Sequence, residues 1–440
     1  MNARPLRNLD LETAYQEAEQ AYVAATPESR RRNQANALVM PGGNTRTVLH
    51  FPPYPATVVK GEGCYVWDAD GRKYIDFVCE YTAGLYGHSN PLIQQAVRDA
   101  LASGIVLGAP NRYEGELAQA LTQRIPSLEL VRFCNSGTEA NLFAILTARA
   151  VTGRGAIMVF DGGYHGGCFY YAHGGTPLNA PFETILAPYN DVEGTRALIR
   201  ANAERLASIT VEPLMGSAGC LPGELPFLRM LREEASRHGI VLVFDEVMTS
   251  RLSPGGLQQA IGVIPDMTAL GKYLGGGLTF GAFGGKRAIM ERFDPRSDNA
   301  FPHAGTFNNN VLTMAAGATG LTKVYTPEAA IALNERGERL RQRLNAIARR
   351  HGVPVVITGR GSMMNLHVNP GPVRTPDDSY RDDKQALDLI HLDMLARGIY
   401  LARRGFIVLS LPMGEAELDA LARALDEVLG ERAALLRAIA

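Results

Sequence analysis

Short apolar runs alternate with amphipathic segments through the middle of the chain, from about residue 90 to about residue 325. The apolar runs lie at 131–134, 156–160, 207–213 and 240–246. Segments with helical periodicity lie among them, such as PLIQQAVRDALASG and EGELAQALTQRI. Short β-branched runs separated by helices are typical of parallel strands joined by helical crossovers. The pattern therefore predicts an α/β fold with a mostly parallel central sheet flanked by helices.

The two ends of the chain follow different patterns. Residues 11–35 are polar and helix-prone, and TVVKGEGCYVWDADGRKYIDF then alternates apolar and polar positions around turn signals, as strands do. Near the carboxyl terminus we predict a long amphipathic helix, short strands in SMMNLHV, IYLA and FIVLSLP, and a closing helix. We expect an N-terminal segment (1–80) that joins a C-terminal small α+β domain (326–440), beside a large domain (81–325).

Composition and charge exclude several classes of protein. The chain has 440 residues, of which 46% are hydrophobic and 20% charged, and this suits a globular protein with two or more domains. Its 44 basic and 45 acidic side chains nearly cancel, so nothing electrostatic favours a nucleic-acid partner. The sequence shows neither a bilayer-length apolar run nor the apolar core of a secretory signal. We expect a cytoplasmic protein that binds no nucleic acid and no membrane.

The five cysteines are scattered and form no CxxC pair. This spacing argues against a disulfide framework and against a zinc site. We therefore expect reduced thiols and no bound metal.

Two charged side chains occupy positions that the sequence predicts to be buried. IVLVFDE is typical of a core strand, and its Asp245 requires a cationic partner such as a protonated pyridine nitrogen, since an unpaired buried carboxylate is costly. Lys272 stands among small and apolar residues before three glycines, where desolvation favours the neutral amine that attacks an aldehyde. The alternatives are an aspartate that caps the next helix and a solvated lysine on a glycine-rich loop. The pattern GxxxxGK[ST] of a phosphate-binding P-loop is absent.

One strand-to-helix junction offers groups suited to a phosphate. At 134–153 an apolar strand leads into a helix that opens at Ser136, Gly137 and Thr138. Their hydroxyl groups and the free N–H groups of the first turn would form an anion cradle. Ser136 with Glu139 also fits a capping box, so an ordinary capped helix is the alternative.

Two further turns carry candidate ligand-binding residues. VFDGGYHGG (159–167) projects Tyr164 and His165 at the carboxyl end of a strand, where Tyr164 could stack on a flat aromatic cofactor. HAGTFNNN (303–310) offers Thr306 and neighbouring amides to a phosphate. Each turn by itself also fits a surface loop.

The chain resembles the class III aminotransferases of fold type I, which depend on pyridoxal 5′-phosphate (PLP). The resemblance rests on six motifs in the order of that family: NSGTEAN, GGYHG, VEP, DEV, Lys272 and GTF. The resemblance runs from about residue 38 to about residue 412. It implies that Lys272 holds PLP as a Schiff base and moves the proton, while Asp245 pairs with the pyridinium nitrogen. The remaining implied cofactor residues are Ser136, Gly137 and Thr138 at the phosphate, Tyr164 and Val247 on the two ring faces, Glu212 and His165 near the ring, and Thr306 at the phosphate of a neighbouring subunit. A homodimer with composite active sites is therefore implied.

Within this class, MPGGNTRTVLHFPPYP and EYTAGLYGHS resemble aminotransferases of aromatic β-amino acids such as β-phenylalanine; glutamate-1-semialdehyde aminomutases share the glycine pair. The resemblance implies that Arg46 binds the substrate carboxylate and that Arg404 helps accept a dicarboxylate co-substrate, 2-oxoglutarate, since arginine presents a planar fork of donors. Arg403 replaces a proline of the family and changes the local charge. The side-chain pocket would be lined by Tyr81, Val48 and Tyr164.

The function implied is ping-pong transamination between an amino acid and a keto acid, with an aromatic β-amino acid as donor. An aminomutase would use the same cofactor residues without an external keto acid. A racemase, a decarboxylase or a non-catalytic PLP-binding homologue also remains open, although the intact Lys272 and Asp245 argue against the last. A nicotinamide-dependent dehydrogenase is disfavoured, because no GxGxxG lies between a strand and a helix.

Overall fold

A seven-stranded sheet crosses the middle of the molecule in the computed structural model, which describes residues 10–439. Numbered in chain order, the strands are β1 (Val58–Glu62), β2 (Tyr65–Asp68), β3 (Lys73–Asp76), β4 (Leu130–Cys134), β5 (Ala156–Phe160), β6 (Thr184–Ala187), β7 (Leu206–Val211), β8 (Leu214–Met215), β9 (Leu221–Pro222), β10 (Val241–Asp245), β11 (Met267–Gly271), β12 (Gly281–Gly285), β13 (Val355–Arg360), β14 (Met363–Val368), β15 (Ile399–Tyr400) and β16 (Phe406–Val408).

The helices cover both faces of this sheet and both ends of the chain. They are α1 (Leu11–Ala25), α2 (Pro27–Ala37), α3 (Pro91–Ala102), α4 (Arg112–Arg124), α5 (Gly137–Thr152), α6 (Val192–Ala201), α7 (Leu225–His238), α8 (Gly256–Ile261), α9 (Arg287–Met290), α10 (Val311–Thr319), α11 (Pro327–His351), α12 (Pro376–Ser379), α13 (Lys384–Ala396), α14 (Glu415–Glu431) and α15 (Ala433–Arg437). Among the helices of residues 10–439, none has the length and apolar character needed to cross a membrane.

The central sheet has the strand order β4-β12-β11-β10-β7-β5-β6, and all its strands run parallel except β12. Strands β5, β7, β10 and β11 are buried along their whole length, as expected for β-branched and apolar runs covered on both faces. The predicted α/β fold with a mostly parallel, helix-flanked sheet is confirmed. Since β7, β10 and β11 are parallel neighbours, their carboxyl ends meet at one edge.

The antiparallel strand β12 was not predicted, because its sequence GAFGG carries no β-branched residue. Its glycines are required by neighbouring backbone. A Cβ atom at Gly281 would lie 2.2 Å from the Ser136 carbonyl oxygen, and one at Gly284 would lie 2.4 Å from the Leu130 carbonyl oxygen. Gly276, one of the glycines that follow Lys272, is likewise required by its neighbours. Its Cβ would lie 2.5 Å from Ala316 Cβ, and its φ is +67°, so close packing against α10 and a left-handed turn require this glycine.

The terminal segments meet in two smaller sheets. Strand β15 pairs in parallel with β3, which extends the antiparallel β1-β2-β3 sheet, and β13, β14 and β16 form a second antiparallel sheet. Helix α1 also packs on α13. These contacts support a small domain built from both ends of the chain, while its boundaries at residues 80 and 325 stay a prediction.

Candidate active site

Asp245 ends β10 at the edge where the parallel strands terminate, and it is 4% exposed. Its Oδ2 accepts a hydrogen bond of 2.8 Å from Asn141 Nδ2 and lies 2.8 Å from His165 Nδ1, while Oδ1 accepts the N–H of Val247 at 3.0 Å. Burial acts to lower the pKa of His165, but the hydrogen bond and charge of Asp245 outweigh it and raise that pKa. These three contacts fix the orientation of the buried carboxylate.

The adjacent acid, Glu246, points into the protein and has a structural role. It is fully buried, and its two oxygens accept the N–H groups of Leu257 at 2.7 Å and Gln258 at 2.9 Å, at the start of α8. Thr249 Oγ1 donates a further bond of 3.1 Å. The helix-capping alternative considered for Asp245 is therefore fulfilled by Glu246.

Lys272 follows the last residue of β11, the neighbour of β10, and has a φ of +55°. Left-handed backbone at a residue other than glycine costs about 1–3 kcal/mol and is concentrated at functional sites. Burial lowers the pKa of the Lys272 amine to about 8, and the positive charge of Arg46 adds to this effect while the negative charge of Asp245 opposes it. The amine is therefore largely neutral, and nucleophilic, from mildly alkaline pH upward.

The amino-terminal end of α5 lies beside these two residues. Ser136 is its N-cap, and its hydroxyl accepts the N–H of Glu139 at 3.1 Å. The reciprocal half of the predicted capping box is wrong, since Glu139 Oε2 accepts the N–H of Asn135 at 2.9 Å. The Glu139 carboxylate thus binds the N–H of the residue before the cap, Asn135, and not that of the cap itself. A Cβ at Gly137 would lie 2.8 Å from Val247 Cγ1, so Gly137 lets the residue after the two acids approach the helix.

Tyr164 and Glu212 connect two loops above this edge. The N–H of Tyr164 donates to Glu212 Oε1 and the N–H of Gly216 donates to Oε2, both at 2.9 Å. Burial raises the pKa of Glu212 to about 7, the charge of His165 opposes this and that of Asp245 adds to it. Tyr164 as a whole residue is 45% exposed, so it remains accessible to a ligand. Thr138 Oγ1 accepts the N–H of Gly167 at 3.2 Å and joins the same turn to α5.

Two arginines from distant parts of the chain flank one buried tyrosine. The guanidinium carbons of Arg46 and Arg404 lie 5.8 and 5.4 Å from the centroid of the Tyr81 ring, which stacks on Phe406 at 5.6 Å. Tyr81 Oη donates to the Val48 carbonyl oxygen at 3.1 Å. The structure thus brings together residues from both ends of the chain.

A cavity of about 370 Å³ adjoins this cluster and is lined by Val48, Tyr81 and Arg404, among others. Arg403 also lines this cavity. Its Nε and Nη2 atoms both donate hydrogen bonds to the carboxylate of Asp388, and Nη2 lies 2.7 Å from Oδ2. The extra charge that Arg403 brings is therefore neutralised locally.

Thr306 lies on the exposed stretch 304–307. This stretch is anchored beyond its end, where Asn135 Nδ2 donates to Asn308 Oδ1 at 3.0 Å. Its position in the single chain is compatible with a role in a neighbouring subunit.

Sequence reasoning missed Asn141, which contacts Asp245, and Glu80, which contacts Arg46. Asn141 was within reach, because it is the last residue of NSGTEAN and lies one helical turn after Gly137. Glu80 carries no local signal, since its partner lies 34 positions earlier.

The chain matches the family model for "Aminotransferase class-III" over residues 50–413, and it belongs to that family. It is 48% identical to the "Beta-phenylalanine transaminase" of Variovorax paradoxus, over 97% of this chain and 98% of that protein. A glutamate-1-semialdehyde 2,1-aminomutase of Desulfatibacillum aliphaticivorans is 36% identical, over 85% of this chain and 92% of the aminomutase.

Solved structures agree with this assignment. A beta-phenylalanine aminotransferase from Variovorax paradoxus superposes with a TM-score of 0.96 at 48% identity, covering 97% of this chain and 99% of that one. An omega-transaminase from Sphaerobacter thermophilus has a TM-score of 0.87 at 38% identity, covering 92% and 97%. The fold is the predicted fold type I, and the chain is a PLP-dependent transaminase.

The residues at the sheet edge fit this cofactor. A buried carboxylate, a half-buried amine whose pKa is lowered to about 8, and the amino-terminal end of a 16-residue helix converge there from β10, β11 and α5. They complement a pyridinium, an aldehyde and a phosphate, respectively.

Proposed function

We propose that this enzyme transfers the amino group of an aromatic β-amino acid such as β-phenylalanine to a keto acid, with 2-oxoglutarate as the acceptor. The arrangement of Arg46, Tyr81 and Arg404 is the observation that carries this proposal. These residues offer two guanidinium groups that can bind carboxylates and one aromatic ring, in the same site as Lys272. The 48% identity to the Variovorax paradoxus transaminase supports the choice of donor. One site serves both substrates in turn, so the kinetics are ping-pong.

When bound, PLP supplies an aldehyde that takes up the amino group and a conjugated ring that spreads negative charge from the substrate carbon. Lys272 would hold the cofactor, and its neutral Nζ would remove and return the proton at the reacting carbon. Asp245 keeps the ring nitrogen protonated, and Asn141 and His165 hold its Oδ2 in place.

The remaining cofactor residues act by orientation. Ser136, Gly137 and Thr138 would hold the phosphate, and Tyr164 and Val247 would cover the two ring faces. Glu212 positions Tyr164 through its backbone N–H. His165 bonds to Asp245 from the same turn as Tyr164.

Substrate recognition follows from charge and shape. Arg46 binds the carboxylate of the donor, and Arg404 binds the distal carboxylate of 2-oxoglutarate. Val48, Tyr81 and Tyr164 line the pocket for the aromatic side chain. Asp388 neutralises the charge of Arg403. Of the two adjacent arginines, Arg404 is therefore the one whose charge faces a substrate.

We further propose a cytoplasmic homodimer with composite sites, in which Thr306 of each subunit reaches the phosphate of the other. Support comes from Phe307, the residue after Thr306, whose apolar side chain is 62% exposed in the single chain. The five free cysteines, four of them buried, are compatible with a reducing compartment.

An intramolecular aminomutase is the second candidate, and the 36% identity to a glutamate-1-semialdehyde aminomutase favours it. We expect the purified holoenzyme to form glutamate from β-phenylalanine and 2-oxoglutarate, measured by chromatography. Without an acceptor, β-phenylalanine alone should convert the bound cofactor to its amine form, seen in the absorbance spectrum. Conversion of glutamate 1-semialdehyde without an added keto acid, together with inertness towards β-phenylalanine, would instead establish the aminomutase.

Arg46→Ala should lower kcat/KM for β-phenylalanine by about 10- to 100-fold, because a charge-assisted bond is worth roughly 1.5–3 kcal/mol. For 1-phenylethylamine, which lacks a carboxylate, the loss should stay below about threefold. Steady-state kinetics with both donors measure the two ratios. Arg403→Ala is the matched control, since it removes a cation from the same region that Asp388 already neutralises. Equal losses for both donors in Arg46→Ala would remove Arg46 from substrate recognition.

A further inference from the structure

The guanidinium of Arg46 already contacts a carboxylate of its own chain. Its Nη1 forms an ion pair with Glu80 Oε1, and the two side chains are 38% and 58% exposed. Arg46 is nevertheless close enough to Lys272 for its charge to lower the pKa of that amine. The Arg46 guanidinium carbon lies 5.8 Å from the centroid of the Tyr81 ring, so the partly exposed ion pair adjoins the residues proposed to line the substrate pocket.

The second arginine of the site, Arg404, is bound differently. Arg404 Nη1 donates to the Ser217 carbonyl oxygen at 2.7 Å, and its buried Nε finds no acceptor within residues 10–439. None of the ion pairs in that part of the chain involves Arg404. Within residues 10–439, the charge of Arg46 is thus partly neutralised by a carboxylate in the resting protein, and that of Arg404 is not.

The backbone holds Glu80 in place by an unusual turn. Four consecutive residues, Cys79 to Thr82, have positive φ angles of 44°, 49°, 51° and 84°. Asp76 Oδ1 accepts the N–H of Cys79 at 3.0 Å, and the N–H of Gly84 donates to the Cys79 carbonyl oxygen at 2.8 Å, which fixes both ends. The turn directs Tyr81 inward, where it is 7% exposed, and leaves Glu80 outside against Arg46.

We propose that Glu80 determines substrate specificity by competing with the substrate carboxylate for Arg46. The inference rests on the proposed function, in which Arg46 receives the donor carboxylate. A carboxylate that binds at Arg46 must displace Glu80 or share the guanidinium with it. An amine without a carboxylate meets no such competition. Glu80 therefore weakens binding of carboxylate substrates without touching the reacting atoms, and its removal changes KM and leaves kcat unchanged.

The test compares Glu80→Gln with the wild-type holoenzyme. We expect KM for β-phenylalanine to fall by about three- to fivefold at unchanged kcat, in line with the strength of exposed ion pairs. KM for 1-phenylethylamine should not fall. The Kd of 3-phenylpropanoate, an unreactive carboxylate measured by calorimetry, should fall by the same factor. Because salt screens exposed charges, the difference from wild type should shrink at high ionic strength.

Two further variants sharpen the test. Glu62→Gln removes an equally exposed carboxylate from an ion pair with Lys60, where the nitrogen–oxygen distance is 2.7 Å, and should change none of these values. Glu80→Asp keeps the charge but shortens its reach, so its KM and Kd should lie between those of wild type and Glu80→Gln.

An unchanged or higher Kd for 3-phenylpropanoate in both Glu80 variants would overturn the competition. Such a result would mean that Glu80 is inert or instead positions Arg46 for the substrate. Failure of the proposed function is separately visible, as a wild-type holoenzyme that leaves β-phenylalanine unconverted. The binding comparison still tests Glu80 in that case.

Discussion

Lys272→Ala is expected to lower transamination by about 10⁴-fold or more, because in the proposed mechanism Lys272 is both the covalent anchor of the cofactor and the base that moves the proton. The half-reaction of β-phenylalanine with the holoenzyme, followed by cofactor absorbance, measures the loss. In the wild-type protein, borohydride reduction followed by peptide mass spectrometry should place the cofactor on Lys272.

Lys323→Ala is the control for this substitution, since Lys323 is an exposed lysine in the same part of the chain. It should retain wild-type rates. Sustained turnover by Lys272→Ala, or borohydride labelling at another lysine, would show that the assignment of Lys272 is wrong.

The lowered pKa of Lys272 gives the same assignment a pH signature. A lysine with a pKa of about 8 loses its proton roughly two pH units earlier than an ordinary lysine, whose pKa is near 10.4. In cofactor-free protein, the rate of covalent PLP uptake should therefore rise through about pH 8 and then level off. Stopped-flow absorbance across pH 6 to 11 would measure this pH dependence of the uptake rate. A midpoint of the rise near pH 10 would contradict the lowering of the Lys272 pKa by burial and by Arg46.

Asp245→Asn should lower kcat by about 10²- to 10³-fold, the effect expected when one preorganised electrostatic group is removed from a buried site. The amide keeps the shape of the carboxylate but no longer stabilises a protonated ring nitrogen. It also withdraws the charge that raises the pKa of His165, so that pKa should fall. Pre-steady-state kinetics of the deprotonation step and a nuclear magnetic resonance titration of His165 report the two effects.

Glu246→Gln is the matched control, because it alters the adjacent carboxylate that points away from the site. Its amide would turn a donor towards the N–H groups of Leu257 or Gln258, so we expect a loss of about 1–3 kcal/mol in stability. Thermal unfolding should show this loss, while kcat of the folded enzyme stays close to wild type. If Glu246→Gln lost activity and Asp245→Asn did not, the two roles would have to be exchanged.

The sequence by itself predicted that Asp245 ends a core strand and that the Lys272 amine is desolvated, and the structure places both residues at the carboxyl-terminal edge of the sheet. An apolar run that ends in an acid marks a buried strand terminus, and this signal lies within a few adjacent residues. For the same reason the strands at 131–134, 156–160 and 240–246 were predicted within one residue of the bounds in the structure. The ordered motifs also predicted the family, because they preserve the local backbone around the cofactor.

Only the tertiary structure decided how these residues divide their work. Asp245 and Glu246 are neighbours in sequence, and strand alternation sends one to the site and the other to the start of α8. Tyr81 lies within 6 Å of both Arg46 and Arg404, on a turn of positive φ angles that the sequence CEYT does not predict. Strand β12 is held by the backbone on either side of it. Such contacts join residues far apart in the chain, and their free energy depends on the packed fold. Local sequence patterns therefore do not predict them.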